Sequence, residues 1–553
     1  SLLLDAVKPA TAIAVGPGLG RSHGVSTIVS RLFADVAQPA VFDADALNAL
    51  AEYREGLSTH AGPRILTPHP GEFERLSGGR KFAARAAMCE AAAKLAADTQ
   101  TIVVLKGHGT FVTDGTRAGQ GITFAVDSGA NVIGMAIGAL SHPASTTAAV
   151  EYAREGAPVP PVIASYWSAS QKRFGGRGGV FKEFELAFLP GGRAPLPGEV
   201  YRNPDLAATL QSIADSRGES FYRGNLARAI AAHAEATGGF LTLRDLAEHL
   251  PEWVQPVKIR YRGFDVWEIP PNGQGIVALM ALNIMEGFDL RGAPRLAAES
   301  LHVIIEALRL AFADAHAYVG DPQAVEVPVD ELLSPEYAAA RRAQISLSGA
   351  MASVAPGRLD GRKTWEPSDG DTVYLSTADW EGMMVSYIQS NYMGFGSGVV
   401  VPDTGISMQN RGAGFSLEEG HANELAPGRR PFHTIIPGFI TQSGVPLAAF
   451  GVMGGDMQPQ GHVQVISSII DHSLNPQAAI DCPRVRVVGA DGVLAEPEVG
   501  SDTIAALRRL GHNIRAEEGR AGFGGGQMVW RNPDTGVLIA GSEPRKDGCA
   551  VAI

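Results

Sequence analysis

Trp365-Glu-Pro-Ser-Asp-Gly-Asp-Thr-Val-Tyr-Leu-Ser376 decides how this 553-residue chain is to be read. A turn-rich run from Trp365 to Gly370 gives way at Asp371-Thr372 to a short apolar stretch that opens a strand. A hydroxyl nucleophile is almost wholly protonated at its own pKa and needs an adjacent base. If the chain is cut between Asp371 and Thr372, the freed α-amine, with an ordinary pKa of about 7.7 to 8.0, becomes that base. A Thr at the head of a strand also satisfies plain β-propensity, so the weight of the idea rests on the surrounding sequence.

Downstream the chain is strand-rich. Thr372-Val-Tyr-Leu-Ser376, Met383-Met-Val-Ser-Tyr-Ile388, Thr434-Ile-Ile436 and Leu447-Ala-Ala-Phe450 are short apolar or alternating runs bounded by Gly, Pro and Asp. Upstream, from about Ser141, it is helical and Ala-rich, as in Pro204 to Leu210, Ala227 to Thr237 and Leu296 to Val319. In the last of these, Leu301, Ile304, Ile305, Leu308 and Phe312 recur at helical spacing and predict one buried face. Helices followed by strands imply a layered α+β architecture. Thr11 to Gly115 has a different texture: Ala12-Ile-Ala-Val15 runs into Gly16-Pro-Gly-Leu-Gly20, Ala40-Val-Phe42 into Asp43-Ala-Asp-Ala-Leu-Asn48, and Thr101-Ile-Val-Val-Leu105 into Lys106-Gly107. That alternation predicts a parallel α/β sheet with its ligand site at the carboxyl ends of the strands.

The composition narrows the chemistry. Lys and Arg total 46 against 58 Asp and Glu, a formal charge of −12, which argues against a nucleic-acid surface. At this length several domains are expected. Cys89, Cys482 and Cys549 lie too far apart for a metal knuckle or redox pair and are expected to be small buried hydrophobes. No apolar run reaches the 18 or so residues of a membrane span. Ser1-Leu-Leu-Leu-Asp5 lacks the basic start of a secretory signal, so the expectation is a cytoplasmic chain or one whose true start is missing, the periplasm remaining open. Small-molecule chemistry without a metal is the default.

Further motifs surround Thr372: Phe221-Tyr-Arg-Gly224, Pro270-Pro-Asn-Gly-Gln-Gly275, Asn391-Tyr-Met-Gly-Phe-Gly-Ser-Gly398, Gln409-Asn-Arg-Gly-Ala-Gly-Phe-Ser416, Arg430-Pro-Phe-His-Thr434 and Gly451-Val-Met-Gly-Gly-Asp456. With them, residues 141 to 553 resemble the γ-glutamyltransferase (glutathione hydrolase) family of N-terminal-nucleophile hydrolases. The resemblance implies a four-layer αββα sandwich and a proenzyme cut before Thr372. It implies a large region 141–371 and a small region 372–553, the cut chain forming a heterodimer of 371 and 182 residues. Thr372 would be the nucleophile, and Gly454 and Gly455 would form the oxyanion hole, where glycine lets backbone approach substrate. Ser390 and Asn391 would contact substrate polar groups, and His433 and Thr434 stand in place of a serine pair that binds the γ-glutamyl α-carboxylate. The implied activity transfers a γ-glutamyl or related acyl group, from glutathione or another amide, to water or an amine, with no cofactor.

Two departures concern substrate and fold. The acidic residue that grips the substrate ammonium in the family falls at Gly414, while Arg411 brings a cation, so the pocket is expected to prefer an acyl group with a carboxylate and no ammonium. Val150-Glu-Tyr-Ala-Arg-Glu-Gly156 passes almost directly into Ala157-Pro-Val-Pro160 where the family has a long segment, and exposed apolar surface is expected there. His462 and Asp456 are expected to make surface hydrogen bonds, and Gly522-Phe-Gly-Gly-Gly526 to form a flexible loop.

Residues 5 to 140 resemble, through Gly16-Pro-Gly-Leu-Gly20, Asp43 to Asn48, Thr67-Pro-His-Pro-Gly-Glu-Phe73 and Lys106-Gly107, the carbohydrate-kinase-like (ribokinase-like) domain of the ADP- or ATP-dependent NAD(P)H-hydrate dehydratases. The domain, 1–140, is partial: Gly134-Met-Ala136 is present, but the family's catalytic Asp does not follow it. The resemblance implies ADP or ATP at Gly16, Gly18, Gly20, Lys106 and Gly107. It leaves two alternatives to the hydrolase: a nucleotide-dependent dehydratase or nucleotide-binding module, and an inactive fused chain.

Overall fold

The computed structural model describes residues 13–16, 19–20, 22–82, 85–105, 111–113, 118–119, 143–357 and 371–551. The chain forms two compact units, Ser1–Thr123 with Val551–Ile553, and Phe124–Ala550.

The first unit is built on a six-stranded sheet in chain order: β1 (Ile13–Val15), β2 (Ala40–Phe42), β3 (Arg64–Leu66), β4 (Ile102–Leu105), β5 (Phe111–Thr113) and β6 (Ala118–Gly119). The first four strands are parallel, as the alternating pattern predicts, and the last two turn back antiparallel. Helices α1 (His23–Asp35), α2 (Asp45–Glu52), α3 (Pro70–Leu76) and α4 (Arg85–Thr99) connect them. The turn into α3 is set by chemistry local to the sequence. His69 accepts from the first-turn amides while Glu72 bonds back to the His69 N–H, and Pro70 fills the first helical position. Val29, Phe33, Phe42, Leu47, Leu50 and Leu66 form this unit's own core.

The second unit begins with α5 (Pro143–Glu155), α6 (Pro161–Phe174) and α7 (Pro204–Asp215). Beyond the short link after α5, Leu186, Leu196 and Val200 are exposed. There follow a hairpin of β7 (Val257–Tyr261) and β8 (Phe264–Glu268), then α8 (Gly275–Met285) and α9 (Ala298–Tyr318). Both helices are buried nearly all round rather than along one stripe, so α9 is a central helix and the single buried face expected from Leu301 to Phe312 is corrected.

The strand-rich remainder opens with β9 (Asp371–Ala378) and β10 (Met384–Tyr392), an antiparallel pair. Then come β11 (Gly438–Gln442), β12 (Val445–Met453), α10 (Met457–Ile470), β13 (Val485–Val488), β14 (Gly492–Ala495), β15 (Asn513–Ala516), β16 (Gly525–Arg531) and β17 (Leu538–Ser542). A six-stranded antiparallel sheet runs in the order β17-β16-β12-β11-β8-β7. β12 is covered on both faces. The Gly451 Cα lies against the Tyr374 ring of β9, while Val452 packs on Gly461 of α10 and the Phe450 ring meets the His462 ring at 4.8 Å. The period of two along a strand thus places the β9–β10 pair on one side of the sheet and α10 on the other.

Candidate active site

Thr372 lies at an irregularity in the β9–β10 ladder, where the register shifts between Asp371 and Val373. Such bulges re-aim a side chain. Thr372 is buried; its hydroxyl donates to Ser390 Oγ at 3.2 Å and accepts from the Gln458 side-chain amide at 3.1 Å. Ser390 Oγ also accepts from the Tyr392 N–H at 2.8 Å.

Gly454 and Gly455 form the turn from β12 into α10, with φ of 125° and 59°, the left-handed region that glycine occupies without strain. A Cβ on Gly454 would sit 3.0 Å from the Gly524 Cα, so two glycine backbones are pressed together. Among the described residues, neither the Gly454 nor the Gly455 N–H donates to a protein acceptor, although Gly455 is buried. Buried N–H groups are ordinarily paired, so this turn is ready to receive an acceptor. The positive end of α10 begins two residues later.

Gly524 belongs to the stretch expected to be a flexible loop. That expectation is corrected: Gly525 and Gly526 are buried strand residues of β16, and Gly524 braces the Gly454 turn. Asp456 and His462 are also corrected from surface to interior, since both are buried. Asp456 Oδ1 accepts from Gln274 at 2.6 Å. The Val452 N–H donates to His462 Nε2 at 3.1 Å, which places the ring proton on Nδ1, facing Glu268 Oε1 at 2.6 Å. Burial pushes the Glu268 carboxyl above its usual range, and His462 pulls it back.

Arg411, half-buried, sits on the other side of Ser390. Its guanidinium donates to the Ser390 carbonyl at 3.3 Å and to Thr434 Oγ1 at 3.4 Å, and lies 5.6 Å from the Tyr392 ring centre. Tyr392 holds φ of 82°, a strained value for an aromatic residue. Among the described residues no carboxylate lies within ion-pair distance of Arg411; loss of hydration lowers its pKa to about 10, and Tyr392 opposes that. The Asn391 side-chain NH2 and His433 Nδ1 are buried and have no hydrogen-bond partner among the described residues. Desolvation first, then Arg411 and Arg430, hold His433 down at about 3, so it is neutral at pH 7 and the strong donation of a protonated ring is not available here. Its backbone bridges to the Asn272–Gln274 loop, accepting from the Gln274 N–H at 2.9 Å and donating to the Asn272 carbonyl at 3.0 Å.

The structure therefore brings Thr372, Ser390, Arg411 and Thr434 into one hydrogen-bonded cluster, with the Gly454–Gly455 turn joined to it through α10. Gln458 is the member that sequence reasoning missed: a glutamine in a helix has no local signature. In the first unit, Gly16 is held against the Asp43 backbone, and the Gly20 N–H donates to the Asp45 carboxylate at 3.0 Å. Gly18, Lys106 and Gly107 lie outside the described residues, as do Gly134 to His142 and Trp365 to Gly370. Cys89 and Cys482 are half-buried, but Cys549 is exposed rather than buried. No helix among the described residues is long and apolar enough to cross a membrane.

The γ-glutamyltranspeptidase family model matches residues 138–553. The chain belongs to this family. A glutathione hydrolase-like proenzyme of Bacillus subtilis, YwrD, is 37% identical over 371 residues, 66% of this chain and 69% of its own. The oxamate amidohydrolase proenzyme of Klebsiella pneumoniae is 36% identical over 408 residues, covering 73% of this chain and 74% of its own. Among solved structures, the cephalosporin acylase of Bacillus halodurans superposes with a TM-score of 0.70 at 51% identity, over 75% of this chain and 74% of that one. This γ-glutamyltranspeptidase-family chain is an autoprocessed amidohydrolase of the N-terminal-nucleophile class. Residues 1–131 match the NAD(P)H-hydrate dehydratase model, in keeping with the α/β sheet of the first unit.

Proposed function

We propose that the chain cuts itself between Asp371 and Thr372 and that Thr372 then carries acyl groups from amides to water or an amine. The Thr372 Oγ proton passes to a base, the freed α-amine in the cut protein. Oγ bonds to the acyl carbon, and the carbonyl electron pair moves onto oxygen, facing the Gly454 and Gly455 N–H groups. Collapse expels the amine, which takes the proton, and water or a second amine releases the acyl group in the same way. Donors preorganised for the oxyanion contribute about 2.7 to 4 kcal/mol each in such sites. The observation that carries the reading is the pair of glycine amides beside the α10 N-terminus that have no acceptor among the described residues, with Gln458 of that helix bonded to Thr372 Oγ1.

The acyl pocket is assigned to Ser390, Asn391, Arg411, His433 and Thr434. With Gly414 in place of an acid and His433 neutral, its charge comes from Arg411, which suits a carboxylate-bearing acyl group without an ammonium. Glutaryl and γ-glutamyl p-nitroanilides separate the two cases. The glutaryl compound is expected to have the higher kcat/KM, and Arg411→Gln to raise its KM by about tenfold or more, the scale of a lost hydrogen bond to a charge. Preference for γ-glutamyl, or an unchanged KM, contradicts the assignment.

The division we propose is a partial dehydratase-like domain over 1–140 and large and small hydrolase regions over 141–371 and 372–553. Each cut protein is then a heterodimer from one chain. The β12 sheet, flanked by β9–β10 and by α10, supports an αββα sandwich for the hydrolase. The hydrolase chemistry uses no cofactor. A nucleotide reading of 1–140 places ADP or ATP beside Gly16 and Gly20; the Asp45 carboxylate on the Gly20 N–H opposes a phosphate there. Calorimetric titration with ADP and ATP tests it, and absence of heat removes it.

A further inference from the structure

Gln458, the second residue of α10, is fully buried and ties two parts of the site together. Its Oε1 accepts from the Ile436 N–H at 3.3 Å, and its NH2 donates to Thr372 Oγ1 at 3.1 Å. The orientation of the amide is set by that neighbour: a backbone N–H can meet only the oxygen, so the NH2 end must face Thr372. The nucleophilic oxygen therefore receives a hydrogen bond, and its own proton points to Ser390 Oγ.

We propose that Gln458 is a catalytic residue of this enzyme, stabilising Thr372 Oγ whenever that oxygen carries charge. The inference rests on Thr372 being the nucleophile. Two steps place charge on Oγ. In acylation, the proton leaves Oγ for the base as the Oγ–C bond forms. In deacylation, the Oγ–C bond breaks, its electron pair returns to Oγ, and the base gives the proton back. A donor fixed on Oγ lowers the barrier of both, because it meets the oxygen in place and needs no reorganisation in a water-poor site. The N-terminal turn of α10 adds its positive end at the same point. The same contact acts in self-cutting, where Oγ bonds to the Asp371 carbonyl carbon and the Asp371–Thr372 C–N bond breaks as its nitrogen takes up the Oγ proton and becomes the α-amine. Water then hydrolyses the resulting ester, returning the bonding pair and a proton to Oγ. Gln458 also differs in kind from the oxyanion donors: it serves the nucleophile's oxygen, whereas Gly454 and Gly455 are placed for the substrate's.

The test uses the full chain with Gln458→Met, which keeps the side-chain length and removes the donor, and Gln458→Glu, which donates only when protonated. With a chromogenic acyl p-nitroanilide, Gln458→Met is expected to lose at least about tenfold in kcat with KM within about twofold, on the scale of lost oxyanion donors. A Met variant that stays uncut while melting cooperatively like the parent supports the same conclusion. Gln458→Glu is expected to regain activity relative to the parent as pH falls, because the protonated carboxyl restores an O–H donor to Oγ. A merely structural role would leave the Glu variant's pH profile parallel to the parent's. If Gln458→Met does not fold, the Glu profile carries the test alone. Parent-like kcat in the Met variant, or a parallel Glu profile, overturns the proposal. Thr372→Ala run beside them separates the two claims. Cutting and turnover surviving in Thr372→Ala refutes the nucleophile itself; their loss there with a parent-like Gln458→Met refutes Gln458 alone.

Discussion

Thr372 reads in sequence as a strand residue, and what distinguishes it in the fold is the company its hydroxyl keeps. Its partners come from Ser390, eighteen residues on, and from Gln458, eighty-six residues on. The turn at Gly454 and Gly455 was legible because a glycine pair has a conformational reason to exist; the Gln458 contact was not, because only the folded chain creates it. His433 was legible as a position but not as a charge state, since its neutrality follows from depth and from two nearby arginines. At this scale the sharpest expectation concerns Gly454. Its φ of 125° and the 3.0 Å approach of Gly524 leave no room for a side chain. Gly454→Ala is expected to lower kcat by about 100-fold, the cost of one displaced oxyanion donor, measured by steady-state kinetics on the cut protein. A kcat within twofold of the parent would count against the oxyanion assignment.

Among the elements, α10 does the most to position the site. It is polar yet buried, an arrangement that periodicity alone would exclude from a core. The physical reason is local pairing. Gln460 and Gln464 each donate to and accept from the backbone of β13, at Val487 and Val485, so their amides replace the neighbour strand that this edge lacks. On its sheet side, Gly461 lets the helix approach Val452, where an added Cβ would fall 2.4 Å from a Val452 methyl. Gly461→Val should push α10 off β12 and cost about 1 to 3 kcal/mol, read as a lower urea midpoint with unchanged m. The buried helix α9 shows the same limit of sequence reading from the other direction. Its apolar spacing marked one face, but the remaining faces are covered by segments far away in sequence, so a stripe became a whole surface.

For the whole molecule, the buried histidines set a direction for acid stability. His433 and His316 are held down at about 3 and His512 at about 4, in each case chiefly by desolvation. In the unfolded chain each takes up its proton near the ordinary value of about 6.5. Between that pH and the folded values the unfolded state binds more protons, so stability is full above about 6.5 and falls as the pH drops. The urea midpoint should therefore decline from pH 7 to pH 5, and decline less in His433→Asn; an equal decline in both would remove His433 from the account. The division of the chain into an α/β unit and an α+β unit was legible from texture alone, strand–helix alternation against helices followed by strands. The antiparallel return of β5 and β6 was not, because direction was read from strand–helix alternation, and that pattern ends at β4. The central claim, a chain that activates itself at Thr372, is tested most directly by denaturing electrophoresis and N-terminal sequencing of the purified protein. The account predicts a small piece beginning Thr372-Val-Tyr-Leu375, absent in Thr372→Ala; a chain that stays whole, or is cut at another residue, would contradict it.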